Sequence, residues 1–237
     1  SFSDDFEVKT AANGEQGMEQ ALNSIPDIIV SDIMMPVMNG IMMCKILKED
    51  VRTSHIPIIL LTAKDSLQDK EEGYQVGADS YLTKPFSATL LHSRINNLLE
   101  SRKRLTERFN TSTPHHNMDE KRALLAESLN KLDNEFIEKI NQLIEARLSS
   151  EKIDIGYLAD NMCMSKSTLY RKMKALTGLS TNEYVRKIKM QHAERLLLEG
   201  RYNISEVAFR VGINSVVYFR QCFKEEFGVL PSEYLKQ

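Results

Sequence analysis

Hydrophobic positions along the chain follow two regimes that change near residue 110. Before it, short apolar runs alternate with stretches of helical period: Phe6–Thr10, Asp27–Asp32, Ile56–Thr62 and Ser80–Thr83 read as strands, each followed by a helical segment of about 10 to 20 residues. That alternation is the pattern of a parallel sheet with helices on both faces, where function gathers at the carboxyl ends of the strands. A last helical pattern runs through Leu90, Ile95, Leu98 and Leu99 to about Phe109, and then the polar stretch "NTSTPHHNMD", residues 110–119, carries no apolar period and reads as a linker. The adjacent His115 and His116 diverge from one another and read as solvated loop.

After the linker the period is helical throughout, and it repeats. Phe136, Ile137, Ile140, Leu143, Ile144 and Leu148 mark a core helix behind Asp133, which the pattern offers as its N-cap. The stretch "IGYLADNMCMSKSTLYRKMKALTG" then ends at Gly178, and "ISEVAFRVGINSVVYFRQCFKEEFG" ends at Gly228. Ser165 matches Ser215, Met173 matches Phe223, Lys174 matches Lys224 and Gly178 matches Gly228 at an offset of about 50 residues. Each unit reads as a helix with a small inward residue (Ala159, Ala208), a tight turn near Cys163 or Gly212, and a second helix opening at Ser165 or near Asn214 and Ser215. Between them Ser180 and Glu183 form a capping box for a long helix through Tyr184, Val185, Ile188, Ala193, Leu196 and Leu197, stopped by Gly200. Asn203 with Glu206 resembles a further cap. A connecting helix of some 19 residues is roughly 28 Å long, enough to hold the units near the ~34 Å separation of successive major-groove segments on one DNA face.

Composition narrows the picture. The 237 residues, 42% hydrophobic and 27% charged, suit about two ordinary globular domains. Apolar runs are far shorter than the roughly 20 residues of a bilayer helix, so the chain reads as cytoplasmic in type. Cys44, Cys163 and Cys222 form no CxxC pair and read as small buried hydrophobes, not as a disulfide framework or zinc site. Charge is uneven. Residues 1–110 hold 12 Lys and Arg against 16 Asp and Glu, whereas residues 155–220 hold 11 against 5, a local net of +6 suited to a polyanion.

Three polar residues fall at strand ends in the first half: Asp32, Thr62 and Lys84. Singly each has a plain reading, Asp32 for example as the cap of the following turn. Together an acid, a hydroxyl and an amine converging from three successive strands form a site for a phosphoryl group, with a carboxylate nucleophile, a donor and a cation.

The segments "PDIIVSDIMMPVMNG", "IPIILLTAK" and "GADSYLTKPF", in that order, resemble a response-regulator receiver domain over residues 1–107. The resemblance implies a flavodoxin-like doubly wound parallel sheet, with Asp32 as phosphoacceptor from a histidine kinase. It also implies Lys84 on the phosphoryl oxygens, Thr62 swinging its hydroxyl onto them, and Tyr81 following as an aromatic switch. Mg²⁺ would be held by Asp32 and the Met34 carbonyl together with an acidic pair. Gly40 would close the loop after Pro36, and Lys84–Pro85 would be cis. The opening "SFSDDFEVKTAANG" departs from the family, matching the approach to the second strand. The first strand, first helix and acidic pair are therefore expected to be largely absent, and Asp4 and Asp5 are not taken as metal ligands.

Residues 131–237, behind a linker at 108–130, resemble an AraC-type DNA-binding domain, all helical with two helix-turn-helix units. By that resemblance the recognition helices are Ser165–Leu176 and Ser215–Phe227. Ser167, Tyr170 and Arg171 would reach bases from the first, and Val216, Val217, Arg220 and Gln221 from the second. Arg can fork onto guanine, Gln onto adenine, and Val can meet a thymine methyl, although Val216 and Val217 stand where polar residues are common. Lys166, Lys172, Lys174, Arg186, Lys187 and Lys189 are expected to face phosphate or solvent.

The two resemblances imply a phosphorylation-controlled, sequence-specific transcription regulator of a two-component system. Its partners would be double-stranded DNA, a histidine kinase domain and a second copy of the chain. The domain order is that of the C-terminal part of a hybrid sensor and regulator, whose parent would be anchored in the inner membrane; a free-standing response regulator is the alternative. An aspartate-nucleophile phosphatase is disfavoured, because the general acid expected two residues after the nucleophile is here Met34.

Overall fold

The computed structural model describes residues 5–63, 76–110, 129–149 and 153–235. The chain divides into two compact units, Ser1–Arg104 and Leu105–Gln237. In the first, β1 (Ile29–Asp32), β2 (Ile58–Thr62) and β3 (Ser80–Thr83) form a parallel sheet in that order. Around it lie α1 (Gly14–Ser24), α2 (Gly40–Glu49) and α3 (Ala88–Asn110). The register pairs Asp32 with Leu61 and Thr62 with Thr83, so the three strands end level with one another. Both sheet faces are covered. Ile58 and Leu60 point into a cluster with Met43, Cys44 and Leu47, while Ile59 points into another with Leu82 and Ile95. The unbroken apolar run Ile58-Ile59-Leu60 is the signature of such two-sided burial.

Asn13 and Asn39 cap α1 and α2 by accepting from the backbone of Gln16 and Met42. Lys48 ties α2 to the sheet, donating to Asp79 at 2.7 Å and to the Ile56 carbonyl at 2.8 Å, while Asp79 accepts from the Ile58 amide.

The expected strand Phe6–Thr10 does not form: residues 7–10 are exposed and unpaired in any ladder. A strand needs a neighbour for its backbone groups, and the described residues provide none for this segment. The segment is anchored instead at its two ends, with the Phe6 ring 5.6 Å from that of His92 and the Thr10 carbonyl accepting from the side chain of Gln20. The expected helix after Thr62, Asp4, the histidine pair and most of the expected linker lie outside the described residues.

The second unit opens with α4 (Lys131–Glu145) and continues through α5 (Ile155–Asn161), α6 (Lys166–Thr177), α7 (Thr181–Leu198), α8 (Ile204–Arg210), α9 (Val216–Phe227) and the short α10 (Pro231–Tyr234). The N-cap of α4 is Asn130, not Asp133, which instead sits buried in the first turn. The internal repeat is copied down to single hydrogen bonds. The Met164 amide donates to the Ala159 carbonyl and the Ile213 amide to the Ala208 carbonyl, each at 2.9 Å, across turns with Cys163 and Gly212 at positive φ. Ser165 and Ser215 cap α6 and α9, and Gly178 and Gly228 end them in the left-handed conformation. Ala159 and Ala208 are buried because each lies where a turn closes back on its helix.

The connecting helix α7 carries the complete Ser180–Glu183 capping box, whose hydrogen bonds to Ser180 hold the Glu183 carboxyl below the usual carboxylate range. At 18 residues it is about 27 Å long. Tyr184, almost fully buried, donates from α7 to Asn141 of α4 at 2.9 Å, and Tyr234 of α10 bonds Glu194 of α7. No helix among the described residues is long and apolar enough to cross a membrane.

Candidate phosphoacceptor site and nucleic-acid interface

At the carboxyl end of the sheet, Asp32 closes β1 with its side chain 35% exposed. Its Oδ2 accepts from Lys84 Nζ, and its Oδ1 accepts from the Met34 amide at 3.3 Å. Lys84 follows β3 directly, and its backbone amide donates to the Thr62 carbonyl at 2.8 Å, so the strand register itself delivers the ammonium to the carboxylate. The Lys84–Pro85 bond is cis. Thr62 is buried, and its hydroxyl donates to the Ala63 carbonyl at 3.2 Å. Tyr81 packs half-buried against the cluster containing Ile58 and Leu60. Direct contact thus joins Asp32 and Lys84, and strand register brings Thr62 to the same end of the sheet, whereas Tyr81 stands further back in β3, opposite Leu60.

The loop after Asp32 turns tightly. The Gly40 amide donates to the Ile33 carbonyl at 3.0 Å, and a Cβ on Gly40 would stand 2.2 Å from the Asp32 carbonyl oxygen. Only glycine fits there, and its absence would push the loop off the carboxylate. Ser31 adds a bond to the same carbonyl at 2.9 Å, a support that the sequence pattern did not single out. The arrangement presents one carboxylate, open to solvent and paired with one ammonium. That is a nucleophile with a cation beside it, suited to receiving a phosphoryl group.

Among the described residues no group of three or more His, Cys, Asp or Glu side chains gathers to hold a metal, and Asp5 is engaged with His92 at 3.1 Å. Asp32 and the Met34 carbonyl would offer two oxygen donors to an octahedral ion, whose remaining positions would fall to water or to acidic ligands outside the described residues.

In the second unit α6 buries Leu169, Lys172, Met173, Leu176 and Thr177, and turns Ser167, Tyr170 and Arg171 to solvent. The helix α9 buries Phe219, Cys222 and Phe223, the counterparts of Leu169, Lys172 and Met173. Its outward face carries Val217, Arg220 and Gln221, with Gln221 donating to Glu225 at 3.1 Å. The two valines separate: Val217 is 77% exposed, whereas Val216 is half-buried. Tyr218, 50% exposed on the same helix, was missed by the sequence pattern. Its phenol is held above its ordinary range first by its hydrogen bond to Cys222 and then by burial.

Three of the six cations expected at phosphate or solvent are internal instead. Lys172 is fully buried against Asp133, Lys187 pairs with Glu226 at 3.0 Å, and Lys189 donates to the Gly212 carbonyl at 3.3 Å. An ammonium so enclosed is unavailable to a phosphate, so Lys187 braces α9 on α7. Arg186, still exposed, adds a 3.8 Å pair to Glu225. Lys166 and Lys174 remain on the surface as expected.

Residues 2–96 match the family of response regulator receiver domains, and residues 158–237 match a helix-turn-helix domain family. The chain is 35% identical over 230 residues to histidine kinase P4 of Formosa agariphila, covering 97% of this chain and 16% of that protein. It is 38% identical over 102 residues to the DNA-binding dual master transcriptional regulator RpaA of Synechocystis, 43% of this chain and 42% of the relative. The C-terminal domain of AraT, a response regulator from Geobacillus stearothermophilus, superposes with a TM-score of 0.40 at 31% identity, covering 43% of this chain and 84% of that one. The chain therefore spans about a sixth to under a half of the length of these two curated relatives. The chain thus carries a response-regulator receiver domain over residues 2–96, followed by an AraC-type helix-turn-helix domain over residues 158–237.

Proposed function

We propose that the chain is the output end of a two-component system, a non-enzymatic transcription regulator whose receiver, accepting a phosphoryl group on Asp32 from a histidine kinase, controls sequence-specific DNA binding. The observation that carries this reading is the duplicated helix pair: α6 and α9 bury the same face and leave Ser167, Tyr170 and Arg171, or Val217, Arg220 and Gln221, at equivalent outward positions. Arg and Gln there offer bidentate donors to purine edges, and Val217 offers an apolar surface to a thymine methyl. Val216, half-buried, has the smaller share of that role. Thr62 and Tyr81 take the switch roles beside Lys84, and Mg²⁺ belongs to a receiver whose acidic pair the described residues do not include. The working division is a receiver over 1–107, a linker over 108–130 and a DNA-binding domain over 131–237. The likeness over nearly the whole chain to a much longer histidine kinase favours a hybrid parent, with the kinase in the same polypeptide and the inner membrane as its place, over a free-standing regulator. Two copies of the chain on adjacent sites would double the contacts.

The test is base discrimination on a site selected from random duplexes. Arg171→Ala should cost ~1–3 kcal/mol and relax preference within one segment, and Arg220→Ala should do so in the other. Uniform weakening on every sequence by both variants would reassign these arginines to phosphate.

A further inference from the structure

The two recognition helices are held by different means. Beneath α9 the central buried position is Cys222, with Phe219 and Phe223 on either side. Beneath α6 the equivalent position is Lys172, fully buried, with its Nζ 2.5 Å from Asp133 Oδ1 and 4.9 Å from the centroid of the Phe136 ring. Asp133 is itself fixed at the start of α4. Its Oδ2 accepts from the Asn130 side chain at 2.8 Å, and its amide donates to that same side chain at 2.9 Å. The second helix pair, α8 and α9, shows that a small apolar residue satisfies this slot, so a charge is not required for such a pair to pack. Nor is a buried ion pair an efficient source of stability, since well-packed apolar replacements are often neutral or better.

What a buried ion pair can supply in place of stability is position. Apolar surfaces tolerate sliding and rotation, whereas an ammonium seated on one carboxylate oxygen fixes both the height and the turn of the helix that carries it. Lys172 is the residue after Arg171, and Ser167 and Tyr170 lie on the same rigid helix. We propose that Lys172 and Asp133 are positioning residues for base recognition, through which α4, a helix outside the matched residues 158–237, sets the seating of α6, whereas the buried lysine that braces α9 comes from α7 through Lys187 and Glu226. The inference rests on the reading that α6 and α9 each contact DNA bases.

The full 237-residue chain and its Lys172→Met/Asp133→Leu double variant are compared on one selected duplex, with competitors altered in one segment at a time. The double variant should keep or raise its melting midpoint, lose about tenfold in discrimination at the α6 segment and keep its discrimination at the α9 segment. The charge-conserving Asp133→Glu, which displaces the carboxylate along a longer arm, should give the same one-sided loss and serves if the apolar pair fails to fold. Unchanged discrimination at the α6 segment in a folded variant, or equal loss at both segments, would overturn the inference while leaving DNA reading intact. A parent chain with no sequence preference at all would overturn the DNA-reading proposal and this inference with it.

Discussion

Asp32→Asn should abolish acyl-phosphate formation, whatever level the parent chain reaches with a small phosphodonor and Mg²⁺. Asn keeps the size of the side chain and can still accept from the Met34 amide, but its amide is no nucleophile toward phosphorus, so the loss should be complete while the fold persists. The neighbour Lys84 gives a graded comparison. Lys84→Met leaves the carboxylate in place and removes the cation beside it, so labelling should slow rather than vanish. Intact-mass measurement of the parent and the two variants checks all of this. Labelling that survives Asp32→Asn would place the nucleophile elsewhere.

Lys172→Met alone should destabilise the second unit by about 3–5 kcal/mol, far more than any surface lysine. The pair it breaks is 0% and 3% exposed in its two side chains, so Asp133 would be left as a buried carboxylate without its counter-charge. Met fills most of the volume of Lys, and so the loss reports charge rather than a cavity. Asp133→Leu alone should be comparably costly, leaving the ammonium stranded, and the two losses should not add when combined. Thermal or denaturant unfolding followed by helical signal measures it. A cost under about 1 kcal/mol for either single change, the range of exposed pairs, would mean that water reaches the site.

Much of the fold was legible because its signals are local. The unbroken run Ile58-Ile59-Leu60 is a strand covered on both faces, the Ser180–Glu183 box marks a helix start, and the glycines at 178 and 228 stop two helices of the same pattern. The Asp32–Lys84 contact was legible by strand order, since both residues stand at carboxyl ends that the parallel register brings level. What escaped depends on partners distant in sequence. Phe6–Thr10 has strand composition, but a strand exists only with a neighbour, which the described residues do not supply. Lys172, Lys187 and Lys189 read as surface charge, because nothing within a helix's own sequence reveals a carboxylate or carbonyl arriving from another helix. The one available sign was the repeat itself, which sets a lysine opposite Cys222 at a position its neighbours mark as buried. The same dependence moved the α4 cap from Asp133 to Asn130: once Asp133 is committed to Lys172, the orphan amides of the first turn fall to the residue before the helix.

The claim that one chain reads DNA through two recognition helices is tested most directly by a hydroxyl-radical footprint of the full chain on its selected duplex. Two protected segments on one face, about one helical turn apart, are expected, and Arg220→Ala should thin protection in one segment only. Affinity on the same duplex should fall steeply with added salt. A single protected segment that is indifferent to Arg220 and Gln221 would contradict the account and reduce the second helix pair to a brace for the first.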